Sequence, residues 1–369
     1  MLRVSLTPAI FHLPEIVNKI SLEYSKNPIV PRGPELKPIL DRVRSKTISC
    51  LGLKNYEMAI FTSSGSGAVA AAMGSCIPEK GILVISNGAY GERMAAFAKQ
   101  LGQRVVHKAL SYGEKPDVSE IAELILRHDV GALGIVHGGT STCSLNPIAE
   151  IGKLTKSLNI KLIVDVISTI FVENIDFAEW NIDVAIGSVN KGLHSNPDLS
   201  FILLAPQFAN ELHRFPAKLP YFDVFQTMQD QKNGKHPFTI NPRALLETEA
   251  AVDYLNSIGG VPGRVEIYQK RIKILREGYK KLGLKIFQLD GMPLQNIGTA
   301  IYIPEGLNFD VLATYLNENP NAKNEVFQIY SAQGNISSTV FRIFNMGEYD
   351  LTVYTRFIEA LGYAIREIG

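Results

Sequence analysis

The predicted fold rests on residues 81–110, GILVISNGAYGERMAAFAKQLGQRVVHKAL. Two apolar runs, GILVIS and RVVHKAL, flank a segment with helical periodicity, RMAAFAKQLG. A strand, a helix and a second strand in this order form a unit whose two strands lie parallel in one sheet. We therefore predict that this part of the chain has an α/β fold.

The same alternation extends from about residue 58 to residue 205. Further apolar runs are MAIF from Met58, GALGIVH from Gly131, IKLIVD from Ile160, DVAIGS from Asp183 and SFILLA from Ser200. Runs that are apolar throughout, with amphipathic helices between them, are typical of a parallel sheet covered on both faces. Residues 16–258 are therefore predicted to form a large α/β domain.

The pattern changes after Pro206. A mostly helical stretch from about Ala244 to Leu282 is broken at residues 259–263, which we interpret as a hinge. Beyond it we predict strands at KIFQL, TAIYI, EVFQIY and TVFRIF and helices near Phe309–Leu316 and Leu351–Leu361. Strands mixed with fewer helices indicate that residues 259–369 form a smaller α+β domain.

Composition and charge exclude several classes of function. The 369 residues include 37 Lys and Arg and 36 Asp and Glu, a net charge of +1, so nucleic acid and anionic membranes are not expected partners. Cys50, Cys76 and Cys143 and the scattered histidines match neither a disulfide framework nor a metal site. No apolar stretch approaches the length of a membrane span, and Pro8 and Pro14 interrupt the apolar core that a signal peptide needs. We therefore expect a cytoplasmic protein without a metal.

Small residues follow the strand MAIF, in the turn Thr62-Ser63-Ser64-Gly65-Ser66-Gly67-Ala68. In open parallel sheets, ligands bind at the carboxyl ends of the strands, where such a turn presents backbone N–H groups to an anion. A simple tight turn is the alternative interpretation. The turn also matches a loose dinucleotide pattern, but the next strand ends in Ser86-Asn87-Gly88, without the carboxylate that a ribose needs. A phosphate is therefore indicated and a nucleotide is not.

Three further strand ends carry candidate functional residues. Tyr90 follows GILVIS, Asp165 ends IKLIVD, and Lys191 follows DVAIGS. Taken singly, they are more typical of a loop aromatic, a helix cap and a surface lysine. With the anion-binding turn, they match what pyridoxal phosphate requires: a phosphate cradle, a stacking aromatic, a carboxylate for the pyridine nitrogen and a lysine for a Schiff base. The ordered set therefore predicts a pyridoxal 5'-phosphate enzyme.

Six motifs carry a resemblance to a known family. They are SSGSGAV (63–69), SNGAYGER (86–93), VHGGTST (136–142), IVDVIST (163–169), SVNK (188–191) and FRIFNMGE (341–348). In these motifs and their order, the chain resembles the class V aminotransferases, which are fold type I pyridoxal-phosphate enzymes. The resemblance implies a large domain with a mostly parallel seven-stranded sheet between helices, a small C-terminal α+β domain, and an N-terminal segment, residues 1–15, that packs near the active site.

The resemblance also implies roles for individual residues. Lys191 is expected to form the aldimine with the cofactor and to shuttle a proton, and Asp165 to hold the proton of the pyridine nitrogen. Tyr90 is expected to stack on the ring, and Arg342 to bind a substrate carboxylate. The remaining expected cofactor ligands are Ser64, Gly65 and Ser66 at the phosphate, Thr140 near the ring, and Thr239 at the phosphate of the neighbouring subunit in a homodimer with shared active sites.

The implied reaction moves an amino group from a small amine or amino acid to a 2-oxo acid in two ping-pong half-reactions. Within the family, the resemblance points to 2-aminoethylphosphonate or a related phosphonate as the donor and to pyruvate as the acceptor. An aminotransferase of the alanine–glyoxylate or serine–glyoxylate type is one alternative. A lyase, a decarboxylase or a desulfurase on the same scaffold is another. The retained Asp165 and Lys191 argue against a relative without activity.

Four positions depart from the family pattern: Ala9, Gly139, Asp198 and Phe344. Ala9 and Phe344 fall in segments that line the substrate pocket in relatives, Gly139 replaces an acidic residue, and Asp198 ends a turn that is glycine-rich in relatives. Cys143 replaces a family glycine and is a candidate desulfurase nucleophile, although a small buried filler is the simpler interpretation. We therefore expect an intact cofactor site and an altered substrate site.

Overall fold

The computed structural model describes residues 1–289 and 291–368. The strands are β1 Leu2–Ser5, β2 Glu57–Phe61, β3 Ile82–Ser86, β4 Val105–Ala109, β5 Ala132–Val136, β6 Lys161–Asp165, β7 Val184–Ser188, β8 Ser200–Leu204, β9 Gly298–Tyr302, β10 Glu325–Gln328, β11 Tyr330–Ser331 and β12 Val340–Phe344. The helices are α1 Glu15–Tyr24, α2 Leu36–Cys50, α3 Gly65–Ser75, α4 Ala89–Gln100, α5 Val118–His128, α6 Ile148–Ser157, α7 Pro206–Glu211, α8 Val224–Lys232, α9 Pro242–Ser257, α10 Gly260–Lys281, α11 Phe309–Glu318 and α12 Leu351–Ile368. None of the helices in these described ranges is both long enough and apolar enough to cross a membrane.

Seven strands form the central sheet, in the order β2-β8-β7-β6-β5-β3-β4. The neighbouring strands run parallel except β8, which is antiparallel to both β2 and β7. The seven strands coincide with the seven apolar runs of the sequence, so the predicted mostly parallel sheet is confirmed. Because β2, β3, β6 and β7 point the same way, the turns that follow them lie at one edge of the sheet.

Apolar side chains cover both faces of the central sheet. Within β3, Leu83 and Ile85 belong to one core and Ile82 and Val84 to another, as the two-residue period of a strand requires. Helices α1, α2, α5, α6 and α9 contribute to the first core, and α3, α4, α7 and α8 to the second. Burial on both faces explains why these strands are apolar throughout.

The C-terminal part has its own core, around the antiparallel sheet β11-β12-β9 and helices α10, α11 and α12. The predicted strand KIFQL is wrong, because Ile286 makes only an isolated bridge to β9. The buried side chains around it, Leu284 and Phe287, are three residues apart and do not alternate as a strand requires. The predicted strand EVFQIY is divided, because β10 and β11 pair with different strands.

The long helical stretch is broken where the sequence predicts a break. Helix α9 ends at Ser257 and α10 begins at Gly260. Gly259 has a φ of 97° and Gly260 a φ of 66°, left-handed conformations that glycine adopts at little cost. The division into domains at residues 16–258 and 259–369 stays a prediction.

The N-terminal segment crosses to the C-terminal part. Strand β1 pairs in parallel with β10, and the N–H of Phe344 donates to the carbonyl oxygen of Leu6 (3.0 Å). Val4, Leu6 and Phe11 are buried in the C-terminal core. The first strand therefore joins strands near the end of the chain and not the central sheet.

Candidate active site

The turn between β2 and α3 exposes the N-terminal backbone of a helix. Ser64 has an extended backbone, with φ of −68° and ψ of 166°, and α3 begins at Gly65. The first N–H groups of a helix have no acceptor within it, and the Ser64 side chain accepts none of them. A Cβ on Gly65 would lie 2.7 Å from Cδ1 of Ile167, so glycine alone fits there without a shift. Ser64, Gly65 and Ser66 therefore line a helix N-terminus that suits an anion.

Tyr90 stands in the first turn of α4, and two cations lie near its ring. Nζ of Lys191 lies 5.5 Å from the centroid of its ring, and the guanidinium carbon of Arg93 lies 4.8 Å from it. Nη1 of Arg93 also donates to Oγ of Ser66 (3.0 Å), which connects the first turns of α3 and α4. Sequence reasoning missed Arg93. The available signal was its spacing, because residues three apart share a helix face and Arg93 follows Tyr90 by three.

Asp165 ends β6 and is almost fully buried, with 3% of its surface exposed. The N–H of Ile167 donates to its Oδ1 (2.9 Å). Burial raises the pKa of Asp165 to about 6, and the Ile167 N–H and the charges of Lys191 and Arg93 oppose this rise. A further N–H group or cation beside this buried carboxyl group would therefore favour its ionised form.

Lys191 follows β7 and is also buried, with 8% of its surface exposed. Its Nζ donates to Oγ1 of Thr140 (3.3 Å). Burial lowers the pKa of Lys191 to about 8; the charge of Asp165 opposes this fall and the charge of Arg342 adds to it. About a tenth of the amine is therefore neutral at pH 7, and the neutral form is the one that attacks a carbonyl carbon.

Arg342 reaches the same place from the C-terminal part. It lies on β12, is 5% exposed, and donates from Nη1 to the carbonyl oxygen of Thr140 (3.0 Å). Nε and Nη2 both donate to the carbonyl oxygen of Ser331 (3.2 and 2.9 Å). A guanidinium has five N–H groups, so two are left for a ligand, the number that a carboxylate takes in a bidentate pair.

Three further positions that the sequence analysis singled out differ in their exposure to solvent. Thr239 is exposed, in the segment between α8 and α9, and Ala9 is exposed near the N-terminus. Phe344 is buried, and the guanidinium carbon of Arg342 lies 5.7 Å from the centroid of its ring. Phe344 therefore supports the arginine from within the core, which differs from the expectation that its segment lines a pocket.

Gly139 and Asp198 both lie in turns that hold their shape by local contacts. A Cβ on Gly139 would lie 2.6 Å from Oγ1 of Thr142, so a larger residue requires the Thr142 side chain to move. Asp198 accepts from Nη2 of Arg243 (2.7 Å), which ties the turn after Lys191 to α9. This ion pair holds the turn that follows Lys191.

Cys143 is fully buried, and burial raises the pKa of its thiol to about 12. Near neutral pH it therefore lacks the thiolate that a desulfurase nucleophile needs. Its Sγ lies 3.2 Å from where a Cβ on Gly298 would stand, as expected of a side chain that fills a gap in the core. Within residues 1–289 and 291–368, no group of three or more His, Cys, Asp or Glu is arranged to hold a metal ion.

Comparison with known proteins decides the family. The sequence profile of the family Aminotransferase class-V matches residues 14–271. The chain belongs to the class-V aminotransferases. Two relatives of this aminotransferase are each 33% identical to it over 337 residues, which are 89% of this chain and 88% of theirs. Both are named 2-aminoethylphosphonate–pyruvate transaminase, and they come from Salmonella paratyphi C and Salmonella typhimurium.

Solved structures share the fold of this aminotransferase. A ureidoglycine–glyoxylate aminotransferase from Bacillus subtilis matches with a TM-score of 0.89 and 22% identity, covering 100% of this chain and 94% of that one. An alanine–glyoxylate aminotransferase from Nostoc sp. matches with a TM-score of 0.89 and 20% identity, covering 99% and 96%. The predicted fold type I architecture is therefore confirmed.

Family membership makes pyridoxal 5'-phosphate the cofactor of this aminotransferase. The residues at the sheet edge fit it. The N-terminus of α3 suits the phosphate, and Tyr90 offers a face to the pyridine ring. The buried carboxyl group of Asp165 suits the ring nitrogen, and the amine of Lys191 suits the carbonyl carbon.

Proposed function

We propose that this aminotransferase moves the amino group of 2-aminoethylphosphonate, or of a related small phosphonate, to pyruvate. One observation carries the proposal: Thr140 contacts both the amine of Lys191 (3.3 Å) and the guanidinium of Arg342 (3.0 Å). An amine that reacts with a carbonyl carbon therefore lies beside a cation that binds an anion. A substrate with an anionic group a few bonds from its amino or carbonyl group fits this arrangement.

Lys191 and Asp165 perform the central steps of the proposed reaction. When bound, pyridoxal phosphate supplies the electron sink that makes a proton on the substrate carbon removable. Nζ of Lys191 would hold the cofactor, and with substrate bound the same amine would accept the proton from the substrate carbon and pass it on. The carboxylate of Asp165 holds the proton on the ring nitrogen.

Other side chains bind and orient the cofactor. Tyr90 would offer its face to the ring, and Thr140 holds Nζ of Lys191 in place through the hydrogen bond of 3.3 Å. Ser64, Gly65 and Ser66 bind its phosphate through the N-terminal backbone of α3.

The substrates are inferred from the relatives and from Arg342. The two relatives at 33% identity act, by name, on 2-aminoethylphosphonate and pyruvate. The two N–H groups that Arg342 has left suit either a carboxylate or a phosphonate, because both present paired oxygens. One arginine therefore serves the donor in the first half-reaction and the acceptor in the second.

We also propose that the enzyme is a homodimer that works in the cytoplasm. Thr239 is exposed, so its hydroxyl is available to the phosphate bound by a second copy of the chain, as the family resemblance implies. Cys50, Cys76 and Cys143 are free thiols, in agreement with a reducing compartment.

The test is the visible absorption spectrum of the purified protein, with wild type beside Lys191→Ala. We expect the band of the lysine-bound cofactor in the wild type and in Lys156→Ala, an exposed control, but not in Lys191→Ala. Adding 2-aminoethylphosphonate should remove the band, and adding pyruvate should restore it. A wild type that does not take up the cofactor would overturn the residue assignments. A band indifferent to 2-aminoethylphosphonate but removed by alanine would overturn the donor.

A further inference from the structure

A group of buried polar side chains near Lys191 has no part in the proposed reaction. Nδ1 of His194 lies 2.6 Å from Oε1 of Glu348, and its Nε2 lies 2.6 Å from the hydroxyl of Tyr268. Glu348 also accepts from Nη1 of Arg264 (2.8 Å) and from the hydroxyl of Tyr254 (2.8 Å). We call these five residues (His194, Glu348, Tyr268, Arg264 and Tyr254) the His194 cluster.

The partners of His194 assign its proton. Nη1 of Arg264 also lies 2.8 Å from Nδ1 of His194, but this guanidinium has its acceptor in Oε1 of Glu348 (2.8 Å). Nε2 faces two donors, the hydroxyl of Tyr268 and the N–H of Gly347 (3.5 Å), and a carboxylate only accepts, so we assign the proton to Nδ1, which donates to Glu348. Burial, helped by the charge of Arg264, lowers the pKa of His194 to about 3, so the ring is neutral. Burial opposes the charge of Glu348, but hydrogen bonds from His194 and Arg264 outweigh it, and the pKa of Glu348 lies well below its usual value. The bond from His194 to Glu348 is therefore directional and charge-assisted.

The His194 cluster joins the turn after Lys191 to the turn after Arg342. The N–H of His194 donates to the carbonyl oxygen of Lys191 (3.2 Å). His194 has a φ of 62°, a left-handed conformation that is uncommon outside glycine and is held here by the partners of its ring. Glu348 follows β12, the strand that carries Arg342. The hydrogen bond from His194 to Glu348 therefore spans the lysine turn and the arginine strand.

Arg271 makes the arginine side of this connection rigid. Its Nη1 donates to the carbonyl oxygens of Asn345 (3.1 Å) and Gly347 (2.8 Å), and its Nη2 to that of Tyr349 (3.0 Å). These bonds hold the segment around Glu348 against α10. A shift of Glu348 is therefore passed on to β12 and is not absorbed by a loose loop.

We infer that His194 is a positioning residue, whose hydrogen bond to Glu348 sets the spacing and angle between Lys191 and Arg342. The inference rests on the proposed roles of these two residues. Thr140 is one connection between the lysine and the arginine, and the His194 cluster is a second, which joins the backbone that carries each of them. That orientation decides how the carbonyl carbon of an acceptor lies when Arg342 holds its carboxylate.

Two substitutions at residue 194 separate the two hydrogen bonds of its ring. In His194→Asn, the amide takes the place of Nδ1 and keeps a donor for Glu348. In His194→Gln, the longer amide takes the place of Nε2 and keeps a partner for Tyr268. For each variant we would measure kcat and KM for pyruvate, the Kd of oxamate (an unreactive analogue of pyruvate), and Tm.

We expect His194→Gln and Glu348→Gln to raise the KM for pyruvate and the Kd of oxamate by roughly tenfold to hundredfold, with a smaller change in kcat. His194→Asn should restore both constants to near the wild-type values. Tyr268→Phe, which removes only the other hydrogen bond of the ring, is the matched control and should keep the wild-type KM.

A wild-type KM in His194→Gln would overturn the inference. So would equal losses of affinity in His194→Asn, His194→Gln and Tyr268→Phe that follow their losses in Tm, because a purely structural role predicts that result. If His194→Gln does not fold, Glu348→Gln against Tyr268→Phe makes the same comparison. Failure of the proposed function looks different, because the wild type itself would then neither take up the cofactor through Lys191 nor transfer an amino group.

Discussion

The buried amine of Lys191 destabilises the folded chain before any cofactor binds. Burial lowers its pKa from 10.5 to about 8, which corresponds to roughly 3 kcal/mol of folding free energy at pH 7. At pH 7 the lysine is protonated in both the folded and the unfolded state, so the whole cost is present. As the pH rises from about 8 to 10.5, the folded lysine loses its proton first and the cost disappears.

We predict that Lys191→Met stabilises the cofactor-free protein by about 2–3 kcal/mol at pH 7. The gain should fall towards zero as the pH approaches 10.5. Urea unfolding of both proteins at pH 7 and at about pH 10 measures the difference, with Lys156→Met as the exposed control. Equal stabilities at pH 7, or a gain that persists at high pH, would contradict a buried charged amine.

Arg342 is held by three hydrogen bonds to the carbonyl groups of Thr140 and Ser331. A lysine cannot reach both carbonyl groups and also offer a carboxylate two N–H groups. We predict that Arg342→Lys lowers kcat/KM for pyruvate by about 2–3 kcal/mol, roughly 30- to 150-fold, mostly through KM. Steady-state kinetics checks this, with the exposed Arg127→Lys on α5 as the control. An unchanged KM would mean that the carboxylate of the acceptor binds elsewhere.

The proposed site residues differ in how readily the neighbouring sequence predicts them. Tyr90, Asp165 and Lys191 stand beside apolar runs, and the carboxyl ends of parallel strands are where a sheet binds ligands, so their positions were predictable. Arg342 has no such signal, because an arginine within a strand resembles any exposed strand residue, and only the family resemblance indicated it. The sequence does not predict a role for His194, because Glu348, the partner that explains its burial, is 154 residues away.

Two of the three glycines in helix α3, Gly65 and Gly74, are in opposite situations. A Cβ on Gly65 would lie 2.7 Å from Cδ1 of Ile167, whereas one on Gly74 would come no nearer than 3.6 Å to Leu101. We predict that Gly65→Ala weakens cofactor binding by about 1–3 kcal/mol, because the added methyl group overlaps Cδ1 of Ile167 and displaces that side chain beside the anion-binding turn. Gly74→Ala should leave binding unchanged and stabilise the helix by about 0.5–1 kcal/mol. Fluorescence titration with pyridoxal phosphate measures the affinity of each variant, and thermal unfolding measures its stability. If Gly65→Ala binds the cofactor as tightly as the wild type, the anion-binding turn tolerates the displaced side chain.

Strands of the central sheet and of the C-terminal part were not equally predictable. The central strands are buried on both faces and are therefore apolar throughout, which makes each one visible by itself. EVFQIY looks like one strand, but residues 325–328 pair with residues 2–5, and residues 330–331 pair with β12. A local sequence pattern indicates a strand, but it does not indicate the distant segment with which that strand pairs.

A homodimer with shared sites makes a prediction about the whole molecule. Thr239→Glu places a negative charge where we propose that one subunit meets the phosphate of the other, so this variant and Lys191→Ala should each be inactive. When both are co-expressed, half of the dimers are hybrids, and each hybrid has one site with an intact Lys191 and an intact Thr239. We predict that the mixture recovers about a quarter of the wild-type activity. A mixture as inactive as its components would contradict shared sites.

The pairing of β1 with β10 has a consequence for biosynthesis. About 320 residues are added to the nascent chain between these two strands, which takes roughly 15–65 s at 5–20 residues per second. The last strand of the central sheet ends at Leu204, so all seven of its strands are synthesised well before β10. During that interval Val4 and Leu6, which end up fully buried, have no core to enter. Strand β1 is thus made before the central sheet but can pair only after it, so folding of this part of the chain follows the order of contacts and not the order of synthesis.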